Sequence, residues 1–100
     1  MDFLGQLRDM QKKLESARAE LANETVEASA GRGAVRIVMS GTQECRAVRL
    51  APEAVGPDGR ETLEELIRLA VNQAIHESQL LAARKLGPLA GPLAGAGTGP

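Results

Sequence analysis

The sequence predicts an α+β protein in which a long helix, a three-stranded antiparallel meander and a second long helix follow one another. Two stretches repeat apolar residues at helical spacing, one near the N-terminus and one in the second half of the chain. The segment between them alternates apolar and polar residues and is divided by glycine-containing turns. We therefore expect an α-β-β-β-α protomer.

The first helix is predicted over residues 3–22. Its apolar residues lie alternately four and three positions apart, the a/d spacing of a heptad coil, and we call them the apolar seam: Phe3, Leu7, Met10, Leu14, Ala17 and Leu21. This helix is about 30 Å long, and so narrow a seam needs a partner of similar length. We expect a coiled-coil dimer contact formed by Leu7, Met10, Leu14 and Leu21. The alternative is an ordinary helix that lies on its own sheet.

Three short strands are predicted over residues 24–30, 34–40 and 45–50. Gly31-Arg32-Gly33 supplies the glycines of a tight turn between the first two. Gly41 to Glu44 forms the turn before the third strand. Such a meander has one apolar face that another element must cover.

The second helix is predicted to begin after Asp58, which fits a capping box with Glu61. From Leu63 to Leu81 its apolar residues have the broader spacing of a helix packed on a sheet. Gly87-Pro88 is the expected stop.

Residues 1–86 are therefore predicted to form one folded domain, and residues 87–100 a tail. That tail repeats Gly-Pro-Leu-Ala and carries no charge. Glycine and proline at this density predict a flexible Gly/Pro/Ala segment.

Composition restricts the class of protein. Phe3 is the only aromatic residue in a chain of 100, so the core must be aliphatic and a lone protomer would be marginally stable. This favours a homo-oligomer.

There is one cysteine, Cys45, so neither an intrachain disulfide nor a cysteine-based zinc site is expected. The sequence contains neither a signal peptide nor a bilayer-spanning stretch, which predicts a cytoplasmic protein without membrane contact.

Charge is unevenly distributed although the formal net charge is −1. Between Thr25 and Ala51 there are four arginines against two glutamates, a surplus of two positive charges. Between Asp58 and Glu77 there are five acids against two arginines. A locally basic region of this kind can attract an anionic partner even though the net charge of the chain is not positive.

No catalytic constellation is apparent. His76 is the only histidine and lacks partners for a metal or acid–base role. We expect Cys45 to be a small, half-buried residue rather than a nucleophile. No glycine lies in a strand-to-helix phosphate loop. The sequence predicts a non-enzymatic protein without cofactor or metal.

In their order and spacing these residues resemble the YbaB/EbfC family of bacterial nucleoid-associated proteins. The resemblance rests on three pieces: Met10 to Lys13 in the heptad helix, the segment Gly33 to Pro52, and Thr62 to Ile67 followed by Ala70 to Ala74. It implies an α-β-β-β-α protomer and a tweezers-like homodimer with helices as arms. It also implies DNA binding in the nucleoid and no catalysis.

Basic residues off the seam are the candidates for contact with DNA phosphates. They are Arg8, Lys12, Lys13 and Arg18 on the first helix, and Arg32, Arg36 and Arg46 on the sheet and its turn. Without aromatic residues for stacking, and without a short recognition helix, duplex DNA bound with low sequence preference is expected. The alternative for each residue is a solvated, locally paired charge.

The alternative function is a protein-interaction adaptor that uses the heptad helix to bind another protein. Leu69 and Leu80 lie off the main apolar stripe of the second helix and would offer a second contact surface.

Overall fold

The computed structural model describes the backbone of residues 2–97 and the side chains of residues 2–87. The elements are α1 (Phe3–Asn23), β1 (Thr25–Ala30), β2 (Val35–Ser40), β3 (Cys45–Leu50), a 3-10 turn (Pro52–Val55) and α2 (Arg60–Gly97). The predicted α-β-β-β-α order is confirmed.

α1 begins at Phe3 because the Asp2 carboxylate accepts a hydrogen bond from the backbone N–H of Gly5 at 2.9 Å. This is the capping of a free helix N–H by a side-chain oxygen. The helix ends where Glu24 turns to extended backbone, with its own N–H still donating to the carbonyl of Glu20 at 3.0 Å. The chain then enters β1 without an intervening loop.

The sheet is an antiparallel meander in the order β1-β2-β3. Ile37 at its centre pairs with Ala28 on β1 and with Val48 on β3. The register shifts between Val38 and Met39, so Arg46 is an extra residue on β3, as in a β-bulge.

The β1–β2 turn depends on left-handed backbone. Gly31, Arg32 and Gly33 have φ values of 63°, 57° and 85°. A Cβ on Gly31 would also lie 2.6 Å from Cδ1 of Leu66 on α2. Glycine is therefore required at position 31 both by its φ and by the close approach of α2.

α2 covers one face of β1 and β2. The core consists of Ala28, Val35, Ile37 and Met39 from the sheet and Ala70 and Ala74 from α2. The small alanine side chains let the helix lie close to the sheet. Full burial of Val35 and Ile37 is worth about 1.5–3 kcal/mol each.

Two buried serines hold the end of β2 against α2. The Ser78 hydroxyl donates to the backbone carbonyl of Ser40 at 2.7 Å. The hydroxyl of Ser40 in turn accepts from the backbone N–H of Glu44 at 3.1 Å. Both side chains are fully buried, and each has a partner, so the cost of burying them is offset.

Two sequence predictions about α2 are wrong. The helix begins at Arg60, and Leu63 N–H donates to the carbonyl of Gly59, so Gly59 rather than Asp58 holds the N-cap position. The helix also does not stop at Gly87-Pro88, because its backbone is helical to Gly97. A proline inside a helix removes one N–H donor and crowds the carbonyl four residues back, which costs about 3 kcal/mol but can kink a helix without ending it. The leucines and alanines of this segment are good helix formers.

Candidate nucleic-acid interface

The apolar seam of α1 divides into two parts. Ala17 and Leu21 are buried in the core of their own protomer, with Leu21 only 2% exposed. Leu14 is half-buried. Leu7 and Met10, nearer the N-terminus, are exposed, Leu7 by 43%. The predicted dimer residues are thus not equivalent: Leu21 is used within the protomer, whereas Leu7 and Met10 are uncovered.

A second apolar surface lies on β3. Val48 and Leu50 pair with Ile37 and Val35 and therefore share the face of the sheet that α2 covers. Val48 is nevertheless 54% exposed, because α2 packs on β1 and β2.

The same placement of α2 exposes Cys45, at the start of this edge strand. The expectation of a half-buried Cys45 is therefore wrong.

The four basic residues of α1 are all exposed. At 100° per residue, Arg8 and Lys12 lie one turn apart on the side opposite the seam, and Lys13 and Arg18 flank the seam on its two sides. Within residues 2–87 none of the four side chains forms an ion pair. The four cations are therefore spread around much of the helix, with the exposed carboxylates of Asp9, Glu15 and Glu20 between them.

The outer face of the sheet, opposite α2, carries a second basic group. Arg36 on β2 lies directly across from Arg49 on β3. Arg36 Nη1 is 3.4 Å from Glu27 Oε1, and both side chains are about half exposed. Arg32 lies in the turn at the same end of the sheet. The alternation Val48-Arg49-Leu50 in the sequence places Arg49 on this face among the basic residues of the sheet, but Arg49 is not one of the seven residues singled out for contact with DNA.

Arg46 has a role inside the protomer. Its Nη2 donates to the backbone carbonyl of Ala22, in the last turn of α1, at 2.7 Å. Its Nη1 also lies 3.4 Å from Glu44 Oε1. A cation that binds a terminal carbonyl stabilises the negative end of a helix dipole. The bulge thus positions Arg46 to fix the C-terminus of α1 on the sheet.

The seven predicted residues do not converge on one site. α1 meets the sheet at Thr25, whereas Arg32 and Arg36 lie near the opposite end of β1, which ends at Ala30. A strand of six residues spans about 20 Å. The structure therefore defines two basic surfaces, one on α1 and one on the outer face of the sheet.

Lys85 links α2 to the C-terminal end of α1. Its Nζ lies 2.8 Å from Glu20 Oε2 and 3.0 Å from Glu24 Oε1. The hydrogen bond to Glu20, followed by that to Glu24, raises the pKa of Lys85 above its ordinary value. Elsewhere on α2, the hydrogen bond to Arg68 lowers the pKa of Glu65, and the same bond raises the pKa of Arg68.

Other candidate chemistry is sparse in the part of the chain that the structure describes. His76 is exposed on α2. No cluster of three or more His, Cys, Asp or Glu residues suited to a metal occurs among the described residues. A cavity of about 460 Å³ lies between the β1–β2 turn, the 3-10 turn and the start of α2, with Leu63 and Leu66 on its apolar wall.

Neither described helix contains an apolar stretch able to span a bilayer.

The fold and these surfaces define a class: a small helix–sheet–helix protein with exposed basic side chains on one helix and on the outer face of its sheet. A crystal structure of an uncharacterised protein, HP0035 from Helicobacter pylori, shares the fold with a TM-score of 0.73 and 20% identity. The match covers 84% of this chain and 91% of that one.

Sequence comparison identifies the family. The model of the YbaB/EbfC DNA-binding family matches residues 1–93. A nucleoid-associated protein of Roseiflexus sp. (strain RS-1) is 48% identical over 84% of this chain and 83% of its own length. One from Desulforamulus reducens is 43% identical over 91% of this chain and 87% of its own length. The chain belongs to the YbaB/EbfC DNA-binding family, which confirms the resemblance found in the sequence.

Proposed function

We propose that this protein is a non-enzymatic, nucleoid-associated DNA-binding protein of the cytoplasm that binds duplex DNA as a homodimer. Contact is mainly with phosphates and has low sequence specificity. Membership of a DNA-binding family supports this proposal. The observation that carries it is the set of four exposed basic side chains on α1, unpaired within residues 2–87.

A homodimer is supported by two apolar surfaces that one protomer leaves uncovered. They are the exposed part of the seam, with Leu7 and Met10, and the inner face of β3, with Val48 and Leu50. A second copy of the chain carries the same two surfaces, and a two-fold interface is formed by the same surface of both copies. A dimer also has twice as many phosphate-binding side chains as a single protomer.

α1 is suited to act as the DNA-binding arm. Its 21 residues make a helix about 31 Å long. Only its last turns are buried against the rest of the protomer, at Ala17 and Leu21. The basic residues Arg8, Lys12 and Lys13 lie on the exposed part. A rod of this length reaches across a duplex, which a small sheet face does not.

Low sequence specificity follows from the side chains available. Phosphate contacts fix the position of a protein on DNA, whereas base contacts read the sequence. Arginine and lysine on a long exposed helix bind phosphates without a preferred base. Phe3 is the only aromatic residue, so a row of aromatic side chains for stacking on unpaired bases is lacking. Duplex DNA is therefore favoured over single strands.

A gel-shift titration with the full chain at two or more salt concentrations tests the proposal. If a dimer contacts about four to six phosphates, the log–log plot of affinity against salt has a slope of about −4 to −5. Replacement of Lys12, Lys13 and Arg18 with alanine weakens binding to all duplexes alike and flattens this slope, while the dimer mass is retained.

A matched control replaces Arg60 and Arg68 with alanine. Both are exposed arginines on α2 that form ion pairs with nearby glutamates, so DNA affinity should be unchanged. Absence of DNA binding by the parent protein at low salt contradicts the proposal. Larger differences in affinity between duplex sequences than between salt concentrations contradict the phosphate mechanism.

A protein-interaction adaptor is the second candidate, and exposed leucines on α2 favour it. Leu69 and Leu80 are 46% and 43% exposed. They lie about three turns apart on the same side of the helix. If the parent protein binds no DNA at low salt, this surface and the heptad helix make the adaptor the better interpretation.

A further inference from the structure

The outer face of the sheet contains a pair of like charges that the fold places side by side. Arg36 and Arg49 are directly opposite each other on β2 and β3. Residues so paired have Cβ atoms about 5 Å apart, and like charges in this arrangement destabilise a sheet. Both side chains are exposed. The free protein therefore bears an electrostatic cost that a bound anion would remove.

Glu27 offsets this cost only in part. Its Oε1 is 3.4 Å from Arg36 Nη1, and the two side chains are 52% and 55% exposed. An exposed ion pair of this kind contributes little stability. Arg49 forms neither an ion pair nor a side-chain hydrogen bond among the residues whose side chains are described.

The adjoining turn adds a third cation and positions the first. Arg32 lies in the turn that precedes β2. A Cβ on Gly33 would be 3.1 Å from Arg36 Nη2, so the guanidinium lies close against the turn backbone. Three arginines with a single paired carboxylate thus lie at one end of this face.

We propose that Arg36 and Arg49, with Arg32 beside them, form a second phosphate-binding site that holds a backbone phosphate of duplex DNA. The proposal rests on the DNA-binding function proposed above and adds a surface separate from α1. Guanidinium groups match phosphate oxygens with two parallel hydrogen bonds. Two such groups on adjacent strands can share one phosphate, whose negative charge removes their repulsion.

The experiment compares three single variants of the full chain. R49Q removes half of the arginine pair without touching the ion pair between Glu27 and Arg36. E27Q removes the carboxylate that competes with phosphate for Arg36. R68Q is the matched control, because Arg68 is an exposed arginine paired with Glu65 on α2.

The first measurement is the thermal midpoint in sodium chloride and in sodium phosphate of equal ionic strength. In chloride, R49Q should unfold at a higher temperature than the parent because the repulsion is gone. Phosphate should raise the midpoint of the parent, raise that of E27Q further, and leave that of R49Q unchanged. R68Q should respond to phosphate as the parent does. An R49Q protein that is less stable in chloride and equally stabilised by phosphate overturns the site.

The second measurement is duplex affinity as a function of salt, which distinguishes a DNA phosphate from free phosphate. R49Q should bind about tenfold more weakly, the ratio that corresponds to one charge-assisted hydrogen bond. Its salt slope should be flatter by about one unit for each DNA phosphate that the variant no longer binds. R49Q that binds DNA with parental affinity and slope overturns this second site and leaves binding through α1 standing. A parent protein that binds no DNA overturns the proposed function itself.

Discussion

Lys85 Nζ lies 2.8 Å from Glu20 Oε2 and joins α2 to the C-terminal end of α1. The same ammonium group is 3.0 Å from Glu24 Oε1. The other carboxylate oxygen of Glu24 is buried and has no hydrogen-bond partner among the described residues. Lys85 is itself only 24% exposed. This one cation therefore forms ion pairs with two carboxylates that the fold brings close together.

Lys85→Met should lower the thermal midpoint, because it leaves Glu20 and Glu24 adjacent without a counter-charge. Methionine retains most of the apolar stem, so packing is preserved. Thermal unfolding followed by circular dichroism at neutral pH measures the effect. Arg84→Met is the control, since Arg84 is exposed on the adjacent position of the helix and should change little. Equal midpoints for the parent and the Lys85 variant would show that the ion pairs do not stabilise this joint.

The raised pKa of Lys85 predicts a stability loss at alkaline pH. The stabilisation is complete below the ordinary lysine pKa of 10.5 and is lost as pH rises through the higher value of the folded protein. Denaturant titrations from about pH 9 to about pH 12 should therefore show the parent losing more stability than Lys85→Met. Parallel curves for the two proteins would contradict this assignment.

Much of the fold could be predicted from the sequence because its patterns are local. Heptad spacing identifies α1, and alternation between glycine turns identifies the three strands. The end of α2 was mispredicted because proline and glycine outweigh leucine and alanine in a prediction by residue type, whereas the backbone remains helical to Gly97.

The candidate site was less predictable because it depends on pairing across the sheet. The opposition of Arg36 and Arg49 follows from the register of β2 and β3. A bulge between Val38 and Met39 changes that register along the strand pair, so counting residues from the turn does not give it. The binding of Arg46 to the carbonyl of Ala22 joins residues far apart in sequence. That α2 leaves the inner face of β3 exposed is a property of helix placement, which no local pattern encodes.

Gly41→Ala should destabilise the protein by about 1–3 kcal/mol, the usual cost of overpacking. A Cβ at this position would lie 2.6 Å from Leu21 Cδ2 and 2.9 Å from the backbone oxygen of Leu21. The backbone N–H of Gly41 donates to that same oxygen at 3.0 Å, so the two segments cannot separate without breaking a hydrogen bond. Urea denaturation provides the measurement.

Gly87→Ala is the matched control for that substitution. Its Cβ would meet nothing within 4 Å, and Gly87 lies within α2. Alanine there should be neutral or stabilise the helix by up to about 1 kcal/mol. Similar losses of stability from both substitutions would mean that close approach to Leu21 is not the cause.

Leu7→Asp should dissociate the proposed homodimer without unfolding the protomer core. Leu7 is 43% exposed in the protomer, so a carboxylate there is solvated when the chain is alone. In a dimer it would be buried in the apolar seam without a partner, which is costly. Sedimentation equilibrium at micromolar concentration should report a lower mass than for the parent.

Leu80→Asp tests whether this effect is specific to α1. Leu80 is also 43% exposed but lies on α2. Its replacement should leave the dimer mass unchanged. A parent protein that sediments as a folded monomer would contradict the homodimer, and dissociation of the dimer in the Leu80 variant alone would place the interface on α2.

A chain that ends at Leu86 should fold and dimerise like the full chain, even though the helix continues to Gly97. Among the α2 side chains that the structure describes, up to residue 87, the buried ones are Ala70, Ala74 and Ser78. Lys85, which joins α2 to α1, is retained in the shortened chain. Circular dichroism should show less helix in proportion to the residues removed, with the thermal midpoint and the sedimentation mass unchanged. A lower midpoint or a monomeric mass would mean that the segment from Gly87 onward stabilises the domain or its interface, and that the boundary at residue 86 is misplaced.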